Sequence, residues 1–249
     1  MPDALFADAR LADVYDALDP DRSDLEVYER LVVDELGARS ALDIGCGTGT
    51  FAIMLAGRGL DVVGVDPAEA SVAVARGKPG AGRVAWHVGT ADALPPMAVD
   101  VATMTANVAQ VFVDDAAWHE VLGAACERLR PGGALVFESR RPERRAWLEW
   151  TPEGSRQVVD VPHEGPVEDW VEVTDVVEAD DGGAVVTFDS PTVFHRDGVR
   201  IDSTSTLRFR TREAIEASIA AAGLDLVDVR DAPDRPGREW VYVARRPSP

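Results

Sequence analysis

A short apolar run, Ala41-Leu42-Asp43-Ile44, carries an acid near its end, and three glycines, Gly45, Gly47 and Gly49, follow at alternate positions. The next segment, from Phe51 to Arg58, has a helical pattern. Strand, glycine turn and helix in that order let a nucleotide lie against the backbone, because glycine tolerates unusual φ/ψ and puts no Cβ in the ligand's path. A mononucleotide phosphate loop needs a lysine and then Ser or Thr directly after its glycines. The only lysine, Lys78, is far along the chain, so that reading is set aside. A dinucleotide loop wants G-x-G-x-x-G; Gly45 and Gly47 fit, but the third glycine position falls on Thr50. Asp66, closing the next apolar run, sits where a ribose-binding acid belongs in either kind of nucleoside cleft.

The four histidines are the candidate bases. His119 points away from the apolar stripe Trp118, Val121, Leu122, Ala125 and Leu129, and His87 lies within an apolar run, where packing is the simpler role. His163, in the loop Val161-Pro-His-Glu-Gly-Pro166, and His195, on a hairpin strand, are the two placed to meet a substrate. The histidines do not fall at metal-ligand spacing, so no metal site is expected.

These residues need a scaffold. Val-, Leu- and Ile-rich runs predict strands at Ser40–Ile44, Asp61–Asp66, Arg83–Val88, Val99–Met104 and Ala134–Ser139. Helices are predicted at Glu26–Leu36, Phe51–Gly57, Ala68–Arg76 and Asp114–Leu129. Strands without strict alternation, separated by helices, imply a parallel sheet covered on both faces. After about Arg140 the pattern becomes antiparallel, with strands expected at Asp169–Glu178, Gly183–Phe188, Pro191–Arg196 and Val199–Thr211. The last of these would bury Val199, Ile201, Leu207 and Phe209 and leave Arg208 and Arg210 on the wet face. A helix at Thr211–Ala222 and strands at Leu224–Val229 and Trp240–Ala244 then resume the main sheet. The expected fold is α/β: a Rossmann-like, mostly parallel seven-stranded sheet with helices on both faces and an antiparallel β insertion after the fifth strand. The chain divides into an N-terminal helical cap (1–38), a ligand-binding core (39–140), the insertion (141–210) and the completion of the core sheet (211–249).

Four segments in register carry a more specific signal: Asp43-Ile-Gly-Cys-Gly-Thr-Gly49, Gly64-Val-Asp66-Pro67, Gly89-Thr-Ala-Asp92-Ala-Leu-Pro and Leu129-Arg-Pro-Gly-Gly133. Together they closely resemble the class I S-adenosylmethionine-dependent methyltransferases, over about residues 14–137 by motif and beyond that by element order. The resemblance implies S-adenosyl-L-methionine as cofactor. Asp43 would hold its methionine end, and Gly45, Cys46, Gly47 and Gly49 would let it pass close to the backbone. Asp66, followed by Pro67, would accept both ribose hydroxyls, since a carboxylate offers two acceptor oxygens. Ala91 and Asp92 match adenine-recognising positions, Asn107 would line the methionine portion, and Tyr15 or Tyr28 could donate to the cofactor carboxylate. The insertion resembles those of small-molecule methyltransferases acting on amines of amino acids and amino sugars, where it roofs the acceptor pocket and can join two copies in a homodimer. Methyl transfer to an amine nitrogen is preferred, because no convincing base or metal emerges. O-methyl transfer with His163 or His195 as base is the nearest alternative, and a nicotinamide-dependent oxidoreductase the distant one.

Composition narrows the partners. A formal net charge of −19 disfavours phosphate backbones, and the Asn/Asp-Pro-Pro-aromatic signature of base-methylating relatives is missing, so a nucleic-acid acceptor is not expected. The basic group Arg140, Arg141, Arg144 and Arg145 reads as a solvated turn or a small anion contact. No apolar run reaches membrane-span length and the two cysteines are not placed for a disulfide, which together suggest a soluble, cytoplasmic protein without a membrane partner.

Overall fold

The computed structural model describes residues 2–248. Helices α1 (Ala4–Ala7), α2 (Ala9–Leu18) and α3 (Asp24–Arg30) open the chain, and α3 runs on as a π-helical turn over Leu31–Glu35. The Asp8 carboxylate caps α2 by accepting from the N–H groups of Arg10 and Leu11. Alternation follows: β1 (Ser40–Ile44), α4 (Thr50–Gly57), β2 (Asp61–Asp66), α5 (Glu69–Gly77), β3 (Val84–Val88), β4 (Val99–Met104), α6 (Asp115–Arg128) and β5 (Leu129–Arg140). After a short helix, α7 (Pro152–Ser155), come β6 (Gln157–Val161), β7 (Gly165–Asp169), β8 (Glu172–Glu178), β9 (Ala184–Asp189), β10 (Thr192–Phe194), β11 (Val199–Ile201) and β12 (Thr204–Phe209). Helix α8 (Arg212–Ala221), β13 (Asp225–Asp231) and β14 (Glu239–Arg245) complete the fold.

The main sheet has seven strands in the order β13-β14-β5-β4-β1-β2-β3. The five strands from β5 to β3 are parallel, whereas β14 runs against both β5 and β13. Alternate side chains feed two cores, as a pleated sheet requires. Leu42, Ala102, Met104, Phe137 and Tyr242 pack with Trp118 and Leu122 of α6 and Ile219 of α8. Ala41, Val101, Val136 and Val241 pack with Leu25 and Tyr28 of α3 and Phe51 and Ala52 of α4.

The insertion departs from the expected strand set. It forms two sheets, β11-β10-β7-β6 and β12-β9-β8, and the strand at Gln157–Val161 was not foreseen. The segment expected as one strand over Asp169–Glu178 breaks at Trp170 and Val171, whose N–H groups go to the Pro191 carbonyl and the Ser155 hydroxyl instead of a ladder. That over Val199–Thr211 breaks at Asp202 and Ser203, where the Ser203 carbonyl accepts from Ser190 N–H and its hydroxyl from Leu5 N–H. Each break sends the chain from one sheet to the other. Arg208 and Arg210 are buried, not wet, while Val199 is exposed. Arg208 donates to Asp181 at 2.6 Å, and Arg210 to Asp115 at 2.9 Å and to the Phe112 carbonyl at 2.8 Å. Their charges are satisfied by partners distant in sequence, which local alternation cannot register.

The basic group at Arg140–Arg145 is solvated only in part: Arg144 and Arg145 are exposed, whereas Arg140 and Arg141 are drawn into the fold. Arg140 is half-buried and donates to Gln110, Arg141 pairs with Asp231 and lies over the Trp240 ring, and Arg144 donates to the Gly237 carbonyl. These arginines staple the end of β5 to the β13–β14 turn. Trp147 and Trp150 form the core of the second insertion sheet with Phe188 and Phe209.

Candidate active site

The carboxyl ends of β1, β2, β4 and β5 form one crevice. Asp43, on β1, is 1% exposed and turned to the face beneath α3 and α4. Its Oδ1 accepts from Thr103 of β4 at 2.9 Å, and its Oδ2 has no protein partner. Burial, reinforced by Asp66 nearby, pushes the Asp43 carboxyl up to about 7.

Asp66 faces the glycine loop. Its Oδ2 accepts from Gly47 N–H at 2.9 Å and its Oδ1 from Ala68 N–H at 2.8 Å, and burial raises its carboxyl above the usual range. The loop's own donors are nearly all committed inside the protein. Gly45 and Cys46 N–H both reach the Val65 carbonyl, and Gly49 N–H reaches the Cys46 carbonyl. Glycine is required at position 49, where φ is +81° and an added Cβ would lie 2.4 Å from the Trp86 ring and 2.7 Å from Ala75. Gly47 (φ +51°) has nothing within 4 Å of an added Cβ, so its open side faces the crevice rather than the core.

Lys78, remote in sequence, is placed by α5 beside this loop. Its ammonium lies 2.5 Å from Asp16 of α2 and 3.0 Å from the Thr50 hydroxyl, while Thr48 donates to Asp16 at 2.7 Å. Helix α2 is thereby latched over the loop, and the Lys78 charge is paired off.

At the β3 end the crevice is open. Pro67 and Asp92 are exposed, and Ala91 is buried beneath them. The turn bearing Asp92 is held by Arg128 of α6, which donates to the carbonyls of Asp92 and Leu94, each at 2.8 Å. A hydrogen bond from Thr90 keeps the Asp92 carboxyl low.

At the β4 and β5 end it is closed. Ala106 and Asn107 both adopt left-handed φ, +57° and +61°, an unusual pair for non-glycine residues. That turn drives Asn107 N–H onto Glu138 Oε1 at 2.6 Å and leaves Asn107 Oδ1 without a partner. Glu138 is 2% exposed, its Oε2 is unpartnered, and burial pushes its carboxyl up to about 8. The Tyr28 hydroxyl is buried and unpartnered in the field of Glu138, Asp234 and Glu239. Tyr15 is half-buried near Arg22 and stacks at a tilt on Phe6.

Of the sequence-predicted residues, Asp43, Gly45, Cys46, Gly47, Gly49, Asp66 and Asn107 lie at or just beyond the carboxyl ends of β1, β2 and β4, while Tyr28 lies on α3 near Glu138. The structure does not bring His163 or His195 into contact with any of them. Both are exposed on the β6–β7–β10 sheet; His163 contributes its carbonyl to Arg196, and His195 Nε2 lies 2.9 Å from Glu168. Sequence reading missed Asp16, Thr103, Arg128 and Glu138. Glu138 carries the same signal as Asp43 and Asp66, an acid at the carboxyl end of an apolar strand. Among the described residues no group of His, Cys, Asp and Glu is clustered as for a metal, and no helix is long and apolar enough to cross a membrane.

The seven-strand order with one antiparallel strand, and the glycine loop at the β1 end, define the class I S-adenosylmethionine-dependent methyltransferase fold. A crystal structure of such an enzyme from Clostridium acetobutylicum superposes with a TM-score of 0.75 at 18% identity, covering 96% of this chain and 98% of that one. The sugar N-methyltransferase KedS8 from Streptoalloteichus does so with a TM-score of 0.73 at 21% identity, covering 94% and 91%. Residues 41–133 match the family described as a methyltransferase domain. A ubiquinone biosynthesis O-methyltransferase from Idiomarina loihiensis is 30% identical over 139 residues, 50% of this chain and 56% of the relative. The chain spans about half the length of the curated relatives it matches. Residues 41–133 thus resemble a methyltransferase domain, and the chain as a whole shares its fold with S-adenosylmethionine-dependent methyltransferases.

Proposed function

We propose that the protein transfers a methyl group from S-adenosyl-L-methionine to a small-molecule acceptor, with an amine nitrogen preferred over oxygen. One observation carries this reading: Gly45, Cys46, Gly47 and Gly49 have spent their N–H groups on Val65, Asp66 and Cys46, and two buried acids flank the loop. A pyrophosphate needs free N–H donors and a positive field. A nucleoside bearing hydroxyls, an ammonium and a sulfonium needs acceptors and a negative field, which Asp43 and Asp66 supply.

The unpartnered buried atoms fit that cofactor. Asp43 Oδ2 and Asn107 Oδ1 are acceptors for donors at its methionine end, and Asp66 retains lone pairs for the ribose hydroxyls. Asp92 and Ala91 stand at the open end, where adenine would lie. Both tyrosines stand among charges of both signs, Tyr15 near Arg22 with Asp16, Asp19 and Asp24, and Tyr28 near Arg235 with Glu138, Asp234 and Glu239, so either hydroxyl remains a candidate donor to the cofactor carboxylate. Bound S-adenosylmethionine supplies an electrophilic methyl on a sulfonium leaving group. The chain's part is to align the acceptor in line and exclude water, and α2 latched at Thr48 and Lys78 serves that exclusion. The structurally similar KedS8 is a sugar N-methyltransferase, an activity of the same chemical type. Exposed His163 and His195 lend no support to a base for oxygen.

Incubation with methyl-labelled S-adenosylmethionine and a panel of amine- and hydroxyl-bearing metabolites tests the proposal. Label is expected in amines. Transfer confined to hydroxyl compounds would overturn the preference for nitrogen.

A further inference from the structure

The cofactor's assigned contacts lie at the ends of β1, β2, β3 and β4, the last through Asn107, which leaves the ends of β5 and β14 for the acceptor. That side holds charge that the cofactor does not use. Glu138 shares a sheet face with Val136 and pairs in register with Val241 of β14. Glu239, also 2% exposed, lies on the same face two residues earlier along β14, opposite Arg140. Asp234, in the preceding turn, has a buried, unpartnered Oδ1. Arg235 donates to Glu239 at 3.0 Å, and Arg140 approaches it at 3.6 Å. Glu138 itself has no cationic partner: one oxygen takes Asn107 N–H, and the other takes nothing. Tyr28 from α3 and Asn107 from the β4 turn complete the surroundings, and neither carries a positive charge. Arg235, at the outer edge of this cluster, has a side chain that is 42% exposed.

We propose that Glu138, with Glu239 and Asp234 beside it, is an acidic recess that receives the ammonium group of an amine acceptor, and that Glu138 Oε2 takes one proton from it. This inference rests on the methyl-transfer reading. Where Glu138 is ionised, above about pH 8 or in the ionised fraction that a bound cation favours, an ammonium R–NH3+ gives a proton to its carboxylate, leaving R–NH2 and a neutral carboxyl. The nitrogen lone pair then forms the N–C bond as the methyl C–S bond breaks, with its electron pair staying on sulfur. The methylated ammonium and Glu138 afterwards each lose a proton to solvent. The apolar floor of Val136 and Val241 makes the exchange feasible. An ordinary glutamate, near about 4.3, is a poor base for an ammonium, but burial pushes this one up to about 8. Glu239 and Asp234 raise it further, and Arg140 opposes them.

The test uses the full chain loaded with S-adenosylhomocysteine and labelled at the glutamate carboxyl carbon for NMR. Methylammonium chloride is the probe, with potassium chloride at equal ionic strength as control. One glutamate signal is expected to titrate far above the others and to vanish in Glu138→Gln. Methylammonium should lower its midpoint by about one unit or more, as a neighbouring opposite charge does, and potassium should not. Equal response to the two salts, an ammonium-sensitive signal that survives in Glu138→Gln, or no high-titrating glutamate would each overturn the inference. If Glu138→Gln does not fold, the two-salt comparison on the unaltered protein decides, with Glu138→Asp as the second variant. Calorimetry with S-adenosylhomocysteine separates the two failures. No binding at all ends the methyltransferase reading and this inference with it; normal binding without an ammonium response ends only this one.

Discussion

Replacing Asp66 by alanine separates what this carboxylate does for the ligand from what it does for the fold. In the folded chain it accepts from Gly47 N–H at 2.9 Å and Ala68 N–H at 2.8 Å. Losing hydrogen bonds from two ribose hydroxyls to a charged acceptor should weaken S-adenosylhomocysteine binding by roughly 1.5–3 kcal/mol, or about 10- to 150-fold in Kd. The fold loses less. Two N–H groups lose their acceptor, but burial already penalises the charged carboxylate, so its removal returns part of that cost. A net loss of about 1–2 kcal/mol follows, and for a chain of this size it should lower Tm by about 2–8 °C. Isothermal titration with S-adenosylhomocysteine and scanning calorimetry at pH 7 give the two numbers. A lowered Tm with unchanged affinity would refute the reasoning, because Asp66 would then hold the loop and nothing else.

Other perturbations divide the same way. Gly49→Ala meets Trp86 and Ala75 in a left-handed conformation and should cost about 2–5 kcal/mol of stability; a Tm within 1–2 °C of the unaltered protein by thermal melt, roughly what ~0.5 kcal/mol would give, would contradict it. At Gly47→Val the added Cβ has no protein atom within 4 Å, so the variant should melt only slightly lower, from about 1–2 kcal/mol of backbone strain, yet lose cofactor binding in the same titration. Arg128→Met should weaken S-adenosylhomocysteine binding without touching it, by releasing the carbonyls of Asp92 and Leu94; identical affinity would show that the turn at Asp92 holds itself or takes no part in binding. Asp43 and Glu138 are raised to about 7 and about 8, so between about pH 4 and those values the folded chain holds protons that the unfolded chain has released. Stability should therefore fall as pH rises through that window, and Asp43→Asn should flatten part of the fall in denaturant titrations at stepped pH.

The parallel half of the fold was legible because a strand covered on both faces must be a run of Val, Leu and Ile, as at Asp61–Asp66 and Val99–Met104. The glycine loop was legible for a related reason: Gly49 is crowded by Trp86, and no other residue can occupy its conformation. The insertion was harder. The apolar and polar pattern continues through Trp170 and through Asp202, and what breaks the strands there is hydrogen bonding to Pro191, Ser155 and Ser190, set by tertiary contacts. The same limit hid the burial of Arg208 and Arg210 and the approach of Lys78 to the glycine loop, since each partner lies many residues away. Glu138 was readable in principle, as the third acid at the end of an apolar strand. The histidines drew attention by their chemistry alone, and chemistry without placement put His163 and His195 forward although both lie exposed on the hairpin sheet.

A crystal structure grown with S-adenosylhomocysteine tests the central claim most directly. The account predicts ribose hydroxyls on the Asp66 carboxylate, the amino-acid end at Asp43 and Asn107, and the sulfur facing β4 and β5. A ligand bound away from these carboxylates, or crystals that take up NAD over the glycine loop and refuse the sulfur nucleoside, would contradict it.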